Sequence, residues 1–386
     1  MLEHAHKIES QLVSWRRDIH RHPELGFQET RTAALVADHL RSLGYRVRTG
    51  VGRTGVVGER GDGQPVVAIR ADMDALPIQE ENDVPYVSQT PGVMHACGHD
   101  AHTAIALGVA TLLADQDFPG TVRLLFQPAE EVSDDEGMSG AVRMAQDGAM
   151  DGVDAVMALH VDASAPVGEI SLDPGPASAG VGSFWATIRG RGAHGAYPQK
   201  GLDPVYLSAH VILALHGIVS RRLNPFDPAV ITVGSIHGGR ATNVIPEEVE
   251  LSGTIRYESV AVQDQIHAEI ERALGIARTL GGDYDLRIEP GGEPVINDEI
   301  IVTLIRQVAG ELLGEEQVKP REKGMGAEDF SVFTSMAPGA MFRLGCRIEG
   351  DERTGHHPTF DLDEGCLPIG AAILAESAIR YLCAHA

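Results

Sequence analysis

The sequence predicts an α/β protein: a catalytic domain with a mixed, mostly parallel sheet, interrupted by a smaller ferredoxin-like domain. Three observations predict it. Short continuous apolar runs alternate with helical patterns as far as His160, as strands buried on both faces of a sheet do. Between 181 and 289 the periodic segments run strand, helix, strand, strand, helix, strand, the β-α-β-β-α-β order of a split ferredoxin-like unit. Beyond Gly291-Gly292 the first style resumes.

In order, residues 8–43 read as helical segments broken at His22-Pro23 and stopped at Gly44, a good helix terminator. Val66–Arg70, Val122–Phe126 and Ala155–Leu159 read as buried strands, with helices near 102–114 and 139–147 between them. Composition shifts at Asp173-Pro174-Gly175-Pro176, which reads as a linker. Strands over 181–190, 229–237, 248–257 and 284–289 and helices over 203–222 and 260–280 fill the insertion. Helix 297–313, strand 340–345 and helix 367–384 complete the first domain. The expected boundaries are 1–175 with 292–386 for the catalytic domain and 176–291 for the inserted one.

The bulk numbers narrow the function. Hydrophobic residues make up 43% and charged residues 22%, the balance of a soluble globular chain. A formal charge of −24 repels nucleic acid and anionic lipid but not a small neutral or zwitterionic substrate. No window approaches the roughly 18 consecutive apolar residues of a membrane span, and the N-terminus does not read as a signal peptide. The four cysteines, Cys97, Cys346, Cys366 and Cys383, show no paired spacing, so a reducing cytoplasm is the expected compartment.

The chemistry concentrates in His95-Ala96-Cys97-Gly98-His99-Asp100-Ala101-His102 and in Phe126-Gln127-Pro128-Ala129-Glu130-Glu131. The first packs thiol, imidazole and carboxylate groups into eight residues, a density that favours metal ligation over isolated core residues. The second sets two carboxylates just past a buried strand. Neighbouring carboxylates repel unless a cation separates their roles, so one can bind metal while the other takes a proton from water. Three apolar runs lead into Asp72, into Glu130 and Glu131, and into His160. Sites in open α/β sheets gather at that edge. Asp72 and Asp74 read either as a plain turn or as carboxylates that orient a ligand histidine. His356-His357-Pro358 is a loop pair. His194, flanked by Gly192 and Gly195, reads equally as a turn or as a ligand-approach point, and Gly324–Phe330 as a helix start or a substrate-binding backbone.

Taken together, these segments resemble the amidohydrolase family that includes N-acyl-amino-acid amidohydrolases, hippurate hydrolases and plant indole-acetyl-amino-acid hydrolases. That family belongs to a larger group of aminoacylases and carboxypeptidases with co-catalytic metals. The likeness spans nearly the whole chain, from Asp18–Leu25 through Arg70–Pro77, Gly192–Pro198, Thr242–Pro246 and Gly324–Phe330 to the last helix. It implies a metal-dependent amidohydrolase that cleaves N-acyl amino acids to a carboxylic acid and a free amino acid. It further implies two divalent ions (zinc, manganese, cobalt or nickel) held by Cys97, His99, Glu131, His160 and His356, with His357 the rival of His356. Glu130 would be the general base, Asp74 would orient a ligand, and His194 and Asn243 would bind the substrate carboxylate or polarise the carbonyl. It also implies a homo-oligomer, dimer or tetramer, formed through the inserted domain. Departures from relatives at Val161–Pro166 and at Arg240 bear on the substrate. A dipeptidase or aminopeptidase with the same site is the alternative; a metal-binding scaffold and a cysteine hydrolase using Cys97 are rivals of other classes.

Overall fold

The apolar runs become adjacent strands of one sheet in the computed structural model, which describes residues 1–386. The chain order opens with helices α1 (Leu2–Lys7), α2 (Glu9–Arg21) and α3 (Thr30–Ser42) and strands β1 (Arg46–Val51), β2 (Gly55–Asp62) and β3 (Val66–Asp72). Helix α4 (His99–Leu113), β4 (Gly120–Gln127), α5 (Gly140–Gln146), β5 (Ala155–Pro166), β6 (Ile170–Ser171) and β7 (Gly175–Pro176) follow. Next come β8 (Gly180–Arg189), β9 (Ala193–His194), α6 (Pro204–Arg221), β10 (Ala229–Gly238), β11 (Val244–Ile245), β12 (Glu248–Tyr257), α7 (Val260–Thr279) and β13 (Asp283–Pro290). The chain closes with β14 (Ile296–Asn297), α8 (Glu299–Leu313), β15 (Val318–Lys319), α9 (Ser331–Thr334), β16 (Gly339–Arg347) and α10 (Cys366–His385).

Two compact units result: Met1–Ala177 with Ile296–Glu322 and Asp329–Ala386, and Ser178–Val295 with Lys323–Glu328. The composition shift sets the division a few residues earlier, at 175/176 and 291/292. Backbone pairing explains the difference. Gly291 donates to the Val181 carbonyl and Val181 to that of Gly292, while Ala179 donates to Gly326, which ties 323–328 to the second unit.

In the first unit eight strands run in the order β1-β2-β4-β3-β5-β16-β6-β15. The central four, β4-β3-β5-β16, are parallel. Every residue of β3 and β4 is buried, because helices cover both faces. Helix α4 is buried on nearly all sides and packs against α2 and α10. Helix α10 is long and apolar enough to cross a membrane by composition, yet most of it lies in this core.

The second unit has the sheet order β10-β12-β8-β13, all antiparallel, with α6 and α7 packed on it. This is the ferredoxin-like arrangement expected from the sequence. Its helices begin where side chains satisfy free amides: Asp203 accepts from Val205 ahead of Pro204, and Ser259 accepts from Val262.

Two differences from the sequence reading matter. The β1–β2 hairpin goes unpredicted, because Arg46, Arg48, Gly50, Glu59, Arg60 and Gly61 interrupt its apolar pattern. An edge strand such as β1, exposed along most of its length, tolerates charge. Strand β5 does not stop at Leu159 but runs to Pro166, because it pairs in parallel with β16 along most of that strand.

One buried ion network holds α2 against α4 and the segment before α10. Arg16 is fully buried and donates to Asp100 (2.8 Å), Asp361 (2.7 Å) and Glu364 (3.4 Å). His20 donates from both ring nitrogens, to Asp100 (2.7 Å) and Glu80 (3.2 Å). Burial alone would raise the Asp100 carboxyl, but Arg16 and His20 outweigh it and hold it far below the usual range. Removing one partner strands the others in the core. We therefore expect Arg16→Met to lower the unfolding free energy by about 3–5 kcal/mol in urea titrations at neutral pH. The stability contributed by Asp100 is present above its unfolded-state pKa of about 3.9 and lost as pH falls below it, so the variant's acid-unfolding curve should be flatter there.

Candidate metal centre

The parallel strands deliver their chemistry to one edge. Asp72 ends β3 and Asp74 lies in the turn after it; Glu130 and Glu131 follow β4; His160 lies within β5, opposite Arg343 of β16. Cys97 and His99 flank Gly98, whose left-handed φ of 90° starts α4 and whose missing Cβ would stand 2.3 Å from Val161 Cγ2. A side chain there would push α4 off β5.

Hydrogen bonds set which atom of each residue is available. His99 donates from Nδ1 to the Asp74 carbonyl (2.9 Å) and to Asp74 Oδ1 (3.1 Å). Its Nε2 is buried with no hydrogen-bond partner. His160 donates from Nδ1 to the Val161 carbonyl (2.8 Å), which leaves the Nε2 lone pair 3.5 Å from Cys97 Sγ. Asp74 Oδ2 accepts from the Glu131 amide at 3.0 Å. Glu131 Oε1, also without a hydrogen bond, lies 2.9 Å from His356 Nε2. Converging nitrogen, sulfur and oxygen donors, with the buried His99 Nε2 lacking any hydrogen-bond partner, are what a bound cation satisfies.

Among the groups whose ligand atoms lie within 4.8 Å of one another are Cys97, His99 and His160; Cys97, Glu131 and His356; His99, Glu130 and Glu131; and Asp72, His99 and His102. A thiolate, imidazoles and carboxylates at this spacing fit a divalent ion. The electrostatics agree. Cys97 and Glu131 push His356 up to about 10, so that without an ion it carries the positive charge these donors attract. Burial opposes protonation of His99, but Asp72, Cys97 and Asp74 raise it well above the ordinary histidine value. Burial, with Arg343 and His102, holds His160 far below it, so its imidazole is neutral.

Other candidates fall elsewhere. His357 bonds to Thr359 (2.9 Å) rather than joining these groups. His102 donates from Nδ1 to Asp72 (2.6 Å) and accepts the Val161 amide at Nε2 (3.0 Å). Both nitrogens are engaged, so it braces β5 against β3 instead of offering a lone pair. Asp72 therefore orients His102, held by Arg70 at 2.6 Å. His95 is buried and neither ring nitrogen has a partner; burial lowers it to about 4. In the second unit, His194 lies opposite Val244 in the β9–β11 pair and its Nδ1 accepts from the Ala196 amide (3.0 Å). The proton is thereby placed on Nε2. His194, Arg240 and Asn243 line one open groove of about 1000 Å³.

Three supports were not singled out from sequence. Arg70 bonds to Gln127 (2.8 Å) and Asp329 (3.1 Å) as well as to Asp72, and so locks adjacent strand ends together. Asp329, read as part of a helix start, instead accepts from Arg70, Gln127 and the Ala141 amide. Glu29, buried and accepting from the Ala129 amide, is the third. A charged residue at the end of an apolar run is the only signal that could have marked Arg70.

The family model described as peptidase family M20/M25/M40 matches residues 68–380. The chain is 39% identical over 383 residues to N-acetyl-L-cysteine deacetylase of Bacillus subtilis, covering 97% of this chain and 89% of that protein. It is 38% identical over 381 residues to an IAA-amino acid hydrolase of Arabidopsis thaliana, covering 96% and 85%. A solved structure of a dinuclear metal-binding peptidase from Bacillus subtilis superposes with a TM-score of 0.85 at 34% identity, covering 97% and 99%.

Because Asp74 aligns His99 with one oxygen and the Glu131 amide with the other, Asp74→Asn turns an amide hydrogen toward one of these donors. Competition with a chelator should show metal affinity reduced about 10–100-fold.

Proposed function

We propose, for a chain that belongs to the peptidase family M20/M25/M40, hydrolysis of the amide bond of N-acyl amino acids to a carboxylic acid and a free amino acid. The chain is a metal-dependent hydrolase by its family and by the donor groups at its sheet edge. The substrate class draws on two relatives, a deacetylase named for N-acetyl-L-cysteine and a hydrolase named for IAA-amino acids. The single observation that carries the mechanism is the split between adjacent carboxylates: Glu131 is tied through its amide to Asp74 and shares a group with Cys97 and His356, whereas Glu130 shares none with either of them.

In this reading Cys97, His99, Glu131, His160 and His356 hold two divalent ions. When bound, such ions polarise a carbonyl and lower the pKa of water toward about 7. Glu130 takes the proton from the attacking water and passes it to the leaving nitrogen. Asp74 keeps His99 in the tautomer whose Nε2 lone pair faces the donor cluster. His194, protonated on Nε2, donates to the carbonyl oxygen or to the substrate carboxylate, and Asn243 binds that carboxylate. The mixed donor set suits zinc, manganese, cobalt or nickel.

The substrate is a small molecule, and the acidic body disfavours nucleic acid and anionic membrane. The assembly we propose is a dimer or tetramer through the second unit, where the edge strand β10 exposes Val230 and Ile236 and α6 exposes Tyr206 and Leu213. A reducing cytoplasm suits four unpaired cysteines, one of them a candidate ligand.

Glu130→Gln should retain metal by elemental analysis and lose about 10²–10⁴-fold in kcat on N-acetyl amino acids; turnover at the parent rate would remove Glu130 from its role. Chelation should abolish activity and added divalent metal restore it, whereas a thiol hydrolase would survive. In a panel of N-acetyl, N-benzoyl and dipeptide substrates, preference for free-amine dipeptides would overturn the substrate class.

A further inference from the structure

Backbone strain in this protein is concentrated around the candidate centre. Four non-glycine residues adopt a positive φ: Phe27 (62°), Arg53 (80°), Ala129 (45°) and His356 (60°). Such conformations cost about 1–3 kcal/mol each and persist only where surrounding structure imposes them. His356 is a candidate ligand. The other three surround one turn, the turn that presents Glu130 and Glu131.

Ala129 immediately precedes those carboxylates and is fully buried. Its amide is held by Glu29 Oε1 at 2.8 Å, and its carbonyl accepts from Gly140 at 2.9 Å. The other Glu29 oxygen accepts from the Thr54 hydroxyl at 2.5 Å. Thr54 follows Arg53, whose guanidinium lies 4.7 Å over the Phe27 ring and 2.5 Å from Asp134 in the loop beyond Glu131. Glu29 itself is fully buried. The segment it belongs to is pressed against the turn, since a Cβ on Gly26 would stand 2.4 Å from Val132 Cγ2 and 3.0 Å from Ala129 Cβ. A buried carboxyl at this point is costly by itself. It is retained beneath a strained turn, where its partners are an amide in a disfavoured conformation and one hydroxyl.

We infer that Glu29 is a positioning residue: by bridging the Ala129 amide and the Thr54 hydroxyl it holds the strained turn that aims Glu130 and Glu131. The inference rests on the proposed roles of those two residues. Glu29 touches neither substrate nor a candidate ligand. It acts by keeping Ala129 left-handed, and an error of about 1 Å in a reacting group costs on the order of 100-fold in rate. Glutamine preserves the geometry: its carbonyl oxygen still accepts from Ala129, and its amide donates to a Thr54 hydroxyl turned to accept. Alanine removes both contacts.

The full-length protein, loaded with manganese, should be compared as parent, Glu29→Ala, Glu29→Gln and Thr54→Val. We expect Glu29→Ala to lose on the order of 100-fold in kcat on an N-acetyl amino acid with KM within about twofold. Glu29→Gln should recover most of that loss, and Thr54→Val should fall between. Hydrogen exchange of the peptide spanning 126–132, measured without metal, should be faster than the parent's in Glu29→Ala and unchanged in Glu29→Gln. Parent kcat in Glu29→Ala, or equal losses in the Ala and Gln variants that follow their melting temperatures, would overturn the inference. If Glu29→Ala fails to fold, the Thr54→Val and Glu29→Gln pair decides by the same exchange readout: unchanged exchange in Thr54→Val overturns it. Failure of the parent reading is distinguishable, because it appears as full activity in Glu130→Gln whatever the Glu29 variants do.

Discussion

Asp74 spends each carboxylate oxygen on a different element: one orients the imidazole of His99 on α4, the other accepts the amide of Glu131 after β4. It sits just past β3, the strand between β4 and β5. The donor cluster exists because one residue couples the neighbouring strand to the helix that crosses the sheet. Without that coupling, the Cys97–His99 segment and the turn carrying Glu131 would lose the shared partner that holds them together. Arg70 performs the analogous task a strand-turn earlier, with Gln127, Asp72 and Asp329 as partners.

A sheet buried on both faces offers little water to its strand ends, so every charge there is matched. Asp72 would be raised by burial but is held well below the carboxylate range by Arg70, His99 and His102. Arg16 and His20 do the same for Asp100, one residue beyond His99. His99 Nε2, in the donor cluster, is one of the buried atoms left without a hydrogen bond, and both ring nitrogens of nearby His95 are others.

Much of this was readable in the sequence, for physical reasons that differ by element. The strands β3 and β4 are continuous apolar runs because both faces are buried, and such runs stand out. The ferredoxin-like order of the second unit was visible because its strands and helices carry clean periodicities. Hairpin β1–β2 was hidden by its exposure: arginines and glycines at the sheet's edge carry no apolar pattern. His160 was seen as a strand terminus because Val161 to Pro166 mixes polar and small residues, although pairing with β16 keeps that stretch extended. Arg16, Glu29 and Asp329 were silent. A single buried charge in a helix or loop looks like any surface charge until its partner, often hundreds of residues away, is known.

The first unit is discontinuous, and this orders events in the life of the chain. Cys97, His99, Glu131 and His160 are synthesised before the second unit, but His356 and strand β16, which flanks β5, come after it. The second unit is nearly contiguous and its contacts can close while it is still emerging from the ribosome. The donor cluster cannot: it stays open on one side, with β5 lacking a neighbour, until nearly all of the polypeptide has been made. On the proposed ligand set, a product lacking the last segment would carry Cys97, His99, Glu131 and His160 without His356 and without the strand that pairs with β5.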